Sequence, residues 1–335
     1  MLSTIERKID DGNNEESGAH THVALSFVRQ NDFRAMIERF LAAQDVTRGS
    51  KNMYRNALNQ FFAWFVEEKK TSPTRETVLE YKEYLDIKGL RPTTRAGYLV
   101  AVRKFFEWAE SLKIYPNVAK GVKGARRALK SHQKDALVID QIKKLLSGID
   151  RNTLQGKRDF ALINLLIRTG LRLIEVVRSD YRDLDRQSGD DALLWVRGKG
   201  RDGKDECVVI APDALTPILD YVKARKIKSM QEPLFASLSD RNYGKRLTVF
   251  SVSRLIKNYL RRAGMNSKRV TAHSLRHTFG VLSIKAGASL YEVQLAMRHT
   301  NPTTTEIYLG DIERQKRLDE APEKKIGLLL MREGV

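Results

Sequence analysis

The chain has 335 residues, 41% of them hydrophobic and 8% aromatic, with a formal net charge of +19. That length suits two domains, and that charge makes a polyanion, above all nucleic acid, the expected partner. A single cysteine, Cys207 in the apolar run "ECVVI", excludes an intramolecular disulfide and reads as a buried, inert thiol.

Met1 to about residue 25 reads as a disordered acidic arm, with no apolar stretch of the kind a secretion signal needs. No apolar run approaches the about 18 residues of a membrane span. A cytoplasmic protein without a membrane partner is expected. From about 26 to 116 helical patterning dominates. Met53, Tyr54, Ala57, Leu58, Phe61, Phe62 and Phe65 fall at helical spacing, with Ser50 as the expected N-cap and Thr71-Ser72-Pro73 as the stop. A short helix is expected over 74–87. A longer one from about Thr93 carries Tyr98, Val102, Phe105, Phe106 and Ala109. This region predicts a bundle of about four helices with an aromatic core.

Residues 117–136 are basic and poor in large apolar side chains, and read as an inter-domain linker lying on a polyanion. Lys120, Lys123, Arg126, Arg127 and Lys130 are its candidate DNA contacts. The second domain, 137–335, predicts helices broken at Thr169-Gly170, then a β-hairpin. Its strand-like runs are 193–196 and 207–210, joined by the turn-rich "GKGRDGKD". Helices resume from Pro212, from about Ser251 and from His273 onward. The whole reads as mainly α with a small β-sheet.

Candidate chemistry gathers in four places. "TAHSLRHTFG" sets His273 and His277 four residues apart with Arg276 between them. Two histidines alone do not make a zinc site: a third ligand is needed, and the zinc-protease pattern requires Glu where Ser274 stands. An arginine fork beside them suits a phosphate instead. Arg172 lies just after the helix break at Gly170, with Glu175 one turn on to orient it. Lys199 stands at the hairpin tip, with Lys204 as its rival. His299 precedes Tyr308 by nine residues.

In that order, "TGLRLIE", "VRGKGRDGK", "HSLRHTFG", "MRHTNPTTTEIY" and the terminal Tyr308 resemble the catalytic domain of the tyrosine recombinase (phage-type integrase) family, and the whole chain resembles its Xer-like two-domain members. The resemblance covers about Leu137 onward by motif. It extends to the helical N-terminal region, as a SAM-like core-binding domain, by architecture. Two departures stand out: Leu173-Ile174 where the family has Ile-Ser, and Met297-Arg298 where it has Leu-Gly. Arg298 thus adds a cation beside the site and joins the candidate DNA contacts.

The resemblance implies transesterification at a DNA phosphate without ATP, metal or other cofactor. Tyr308 would be the nucleophile, Arg172 and Arg276 the phosphate clamp, and His273 a proton acceptor. His299 would be a hydrogen-bond donor to the phosphate and Lys199 the general acid. Glu175 and His277 would support from behind. It also implies two domains closing on a duplex carrying a recombination site, a homotetramer, a Holliday junction, and accessory or directionality proteins. The terminal "KKIGLLLMREGV" would dock on a neighbouring protomer or pack on its own domain. Within the same chemistry, a type IB topoisomerase that nicks and reseals without site choice is the alternative. Integration or excision of a mobile element and resolution of replicon dimers both fit.

Overall fold

The computed structural model describes residues 33–124, 135–186, 190–198 and 203–299, together with Thr305, Gly310, Glu323, Ile326, Leu330 and Met331. Two compact units divide the chain, Met1–Leu129 and Lys130–Val335.

The first unit has four helices among the described residues: α1 Phe33–Ala42, α2 Arg48–Glu67, α3 Arg75–Ile87 and α4 Pro92–Ser111. Helix α2 begins earlier than expected. Its N-cap is Thr47, whose hydroxyl accepts the Ser50 N–H at 3.3 Å, so Ser50 sits inside the first turn. Thr74 caps α3 in a reciprocal box with Thr77. Pro92 opens α4, where its missing N–H has no helical partner to lose.

The buried stripe is aromatic, as its spacing predicts. Phe105 meets Phe62 edge-on at 5.3 Å and Phe40 at 5.7 Å, and Phe61 meets Tyr81 at 4.9 Å. Met53 is a correction: it is 39% exposed, and the seam instead takes in Trp64 and Trp108. The first residues of the expected linker also differ. Ala119 and Val122 are buried in this same core, and Arg75 and Arg103 hold the carbonyls of Lys120 and Val122. Two small apolar residues suffice to lay that basic segment onto the helices. Lys120 and Lys123 remain exposed on it. Arg126, Arg127 and Lys130 lie outside the described residues.

The second unit is arranged around α6, Leu154–Thr169, which packs against α8 (Pro212–Arg225) and α10 (Ala272–Lys285). Residues 161–167 of α6 are buried without interruption, Asn164 included, whose amide donates to the Asp213 carbonyl at 2.7 Å. Also among the described residues are α5 (Ile139–Ser147), α7 (Leu173–Arg178), α9 (Val249–Arg262) and α11 (Leu290–Met297). The expected hairpin forms from β2, Ala192–Val196, and β3, Glu206–Ile210, with Leu194 opposite Val208. A third strand, β1 (Leu184–Asp185), pairs antiparallel to β2 and gave no sequence signal, being two residues long.

Strand alternation overturns the reading of Cys207. Val208 and Ile210 face the core, so Cys207 and Val209 face outward, and the thiol is exposed.

Candidate active site

Three segments far apart in sequence meet here, and main-chain carbonyls tie them together. Helix α6 ends at Gly170, which takes the left-handed conformation at φ +61°. A Cβ at Gly170 would sit 2.5 Å from the Phe279 ring of α10, so only glycine allows this approach. The close contact brings the Arg172 turn beside the Arg276 helix. Arg276 is 4% exposed; its Nη1 donates to the Gly170 carbonyl and its Nη2 to the Met297 carbonyl. One guanidinium therefore joins the turn before Arg172 to the end of α11 before His299.

Arg172 is the N-cap of α7. Its backbone N–H donates to Glu175 Oε2 at 2.7 Å and its Nη1 to Glu175 Oε1 at 2.9 Å. Its Nη2 reaches the Arg298 carbonyl at 3.1 Å. The orienting role expected of Glu175 has this geometric basis. Glu175 is fully buried, and burial works against its charge. Arg298 and then the Arg172 backbone and guanidinium outweigh that burial and hold its carboxyl below the usual glutamate range.

Arg298 departs from the expected DNA contact. Its side chain is 7% exposed and turned inward, with Nη2 2.7 Å from Glu175 Oε2. The fully buried Glu175 carboxylate holds it through a charge-assisted hydrogen bond. Its backbone is left-handed at φ +53°, a conformation that costs a non-glycine residue about 1–2 kcal/mol.

His299 follows directly. Its Nδ1 lies 2.8 Å from the Thr305 hydroxyl, and its backbone bonds to Gln294 at 3.1 Å. Thr305 is helical and fully buried. Its place in the sequence, three residues before Tyr308, carries no chemical signal of this bond. On α10, His273 is exposed in the first turn, one turn ahead of Arg276, whereas His277 is buried behind it. The two histidines thus share a helical spacing but not an environment. Lys199 and Tyr308 lie outside the described residues. The rival hairpin lysine, Lys204, is committed elsewhere: it pairs with Asp180 at 3.1 Å and with Asp183. Among the described residues no group of three or more acids, histidines or cysteines is arranged as a metal site.

Residues 136–313 match the phage integrase family, and residues 20–113 match the phage integrase N-terminal SAM-like domain. The tyrosine recombinase XerC of Salmonella typhi is 34% identical over 223 residues, 66% of this chain and 70% of that protein. XerD of Vibrio cholerae serotype O1 is 26% identical over 281 residues, 82% of this chain and 91% of that protein. In fold, the chain is similar to the XerH site-specific recombinase solved on its palindromic difH substrate. The TM-score is 0.70 at 18% identity, covering 94% of this chain and 91% of that one. The chain belongs to the phage integrase family. It is an enzyme of the tyrosine recombinase class, which cuts and rejoins DNA at specific sites.

Proposed function

We propose that this recombinase cuts and rejoins strands through a covalent 3′-phosphotyrosine on Tyr308, passing through a Holliday junction in a homotetramer on DNA. The observation that carries the reading is the Arg276 guanidinium bonded to both the Gly170 and Met297 carbonyls. It ties the turn that carries Arg172 to the segment that carries His299, which supports a site of the kind a phosphate in transition needs.

Tyr308 attacks the scissile phosphorus, its proton passing to His273, and the 5′-oxygen leaves with a proton from Lys199. A free tyrosine has a pKa of about 10, so the surrounding cations are needed to favour its phenolate. Arg172 and Arg276 take up the charge growing on the non-bridging oxygens. His299 donates a hydrogen bond to one of them from Nε2, its Nδ1 satisfied by Thr305. His277 supports the helix from within. The bond energy is kept in the phosphotyrosine, so rejoining needs no ATP. The exposed Lys120 and Lys123 and the basic residues that follow contact the DNA backbone. Affinity then falls steeply with salt. The terminal apolar segment docks on a neighbouring protomer. The enzyme acts in the cytoplasm, in the movement of a mobile element or in dimer resolution, with accessory proteins where direction is imposed.

The test is covalent trapping in EDTA on nicked duplexes taken from the DNA flanking the gene, run on a denaturing gel beside Tyr308→Phe. A protein–DNA band that needs Tyr308 and one particular duplex is expected. A Tyr308-dependent band on every duplex would favour the topoisomerase reading. No band across the natural junctions, with DNA binding intact, would remove Tyr308 as nucleophile.

A further inference from the structure

Glu175 poses an electrostatic problem. It is fully buried and holds Arg172 by two hydrogen bonds, at 2.7 and 2.9 Å. An orienting carboxylate this close also cancels the charge it orients. With Arg172 and Glu175 alone the pair would be neutral, and a neutral pair attracts an anionic phosphate poorly.

Arg298 stands on the other side of that carboxylate. Its Nη2 lies 2.7 Å from Glu175 Oε2, the oxygen that also accepts the Arg172 backbone N–H. Its side chain is 7% exposed, against 29% for Arg172. Of the two arginines, Arg172 therefore opens towards solvent and Arg298 is turned to the carboxylate. Glu206 approaches the Arg298 Nε at 3.6 Å, a longer contact than the 2.7 Å to Glu175 and from a more exposed side chain. The cluster of Arg172, Glu175 and Arg298 keeps one net positive charge, and the open end of the cluster is Arg172. The left-handed backbone at Arg298 adds weight: it places an arginine where glycine would fit without strain. It also points the Arg298 carbonyl at Arg172 Nη2.

We propose that Arg298 is a positioning residue that neutralises Glu175, so that Arg172 is held in place without losing its charge for the scissile phosphate. Arg298 touches no DNA in this role. The inference rests on Arg172 being a phosphate ligand, as argued under the proposed function.

The test is a double-mutant cycle on the full-length protein. Single-turnover formation of the covalent complex is measured at saturating protein, and duplex affinity separately. Arg298→Met is expected to slow cleavage by about tenfold to a hundredfold, the range for residues acting through a ligand's partner. Duplex affinity and its salt dependence stay unchanged. Arg298→Lys recovers most of the rate. Adding Glu175→Gln to Arg298→Met recovers part of it, because the uncompensated carboxylate is gone. If Arg298→Met fails to fold, Glu175→Gln is compared with Glu175→Gln/Arg298→Met, neither of which strands a buried carboxylate. Their rates should then agree within about twofold. A double variant no faster than Arg298→Met, or a rate loss matched by lost affinity, overturns the inference while the recombinase reading stands. If the wild type forms no Tyr308-dependent complex at all, the recombinase reading falls and this inference with it.

Discussion

In the N-terminal unit, Thr77 is the one buried residue of polar or charged type among the described residues, set in a core of rings such as Phe40, Phe61, Phe62, Phe105 and Phe106. The C-terminal unit buries Arg158, Asp159, Glu175, Asp180, Asp183, Arg276 and His277 among its aliphatic residues. The phenylalanine rings of that core need only contact, and its buried tyrosines one hydrogen bond each, Tyr81 to Gln60 and Tyr115 to the Pro73 carbonyl. Each buried ion must instead be answered by a named partner. Asp159 takes hydrogen bonds from Arg158 at 2.8 Å and Tyr259 at 3.0 Å. Asp180 takes them from Arg246 and Lys204. Such groups stabilise little beyond what their desolvation costs. What they contribute is position, and position is what a phosphate-transfer site requires. The contrast teaches that one unit is arranged for stability and the other for geometry.

Substitutions can break this contrast, and the largest effect falls on the ring core. Phe105→Ala leaves a hole between Phe40, Phe62 and Phe106 and should cost the N-terminal unit about 3–5 kcal/mol. Hydrogen exchange on the whole chain should show α1–α4 losing protection while α6 keeps it. Equal loss in both units would mean that they unfold as one.

Arg276→Lys comes next. One ammonium cannot replace a planar fork that holds the Gly170 and Met297 carbonyls, so covalent complex formation should slow by about 100- to 1,000-fold. A lysine variant with near-normal rate would show that charge matters here and geometry does not. Thr305→Val is gentler. It removes the hydroxyl 2.8 Å from His299 Nδ1, a net loss of about 1 kcal/mol or several-fold in rate. An unchanged rate would remove Thr305 from the positioning of His299.

Acid sharpens the comparison with no substitution. Glu175 and Asp180 both resist protonation: burial works against their charge, but Arg298 with Arg172, and Arg246 with Lys204, outweigh it. A carboxyl lowered by folding contributes stability above its unfolded pKa, and that stability is lost as pH falls through the lower folded one. Asp159 has the opposite sign, since its burial outweighs Arg158 and Tyr259 and raises it above the usual aspartate range. Its ionisation costs stability, and acid relieves that cost. Tyr259 beside it is pushed up to about 12 by its own burial and by Asp159, and does not titrate in this window. Below the ordinary glutamate value of 4.5, amides of α7 should therefore exchange before those around Asp159. The reverse order, read by exchange at stepped pH, would mean that the Glu175 cluster is not what holds α7.

The sequence carried the repeated patterns. Apolar spacing gave α2, α3, α4 and α6, because a helix must bury one face and its period is local. Two short apolar runs around a turn-rich connector point to the hairpin but not to the side on which Cys207 lies, since an unbroken apolar run does not reveal which face its sheet covers. Two hydroxyl residues stand within one turn at the start of α2, and the hydrogen bond to the Ser50 N–H selects Thr47 as the cap.

For the site, chemistry-bearing residues in family order were readable as types: Arg172, His273, Arg276 and His299. Their arrangement was not. Nothing local announces that the Arg276 guanidinium spans two main-chain carbonyls 106 and 21 residues away. Nor does "MRHT" reveal that its arginine turns inward to Glu175, 123 residues earlier in the chain. Those are partnerships of buried charges. A buried charge takes whichever partner folding leaves within reach, so composition, period and residue order were fixed by the chain itself, while the pairing of its ions was decided by the tertiary structure.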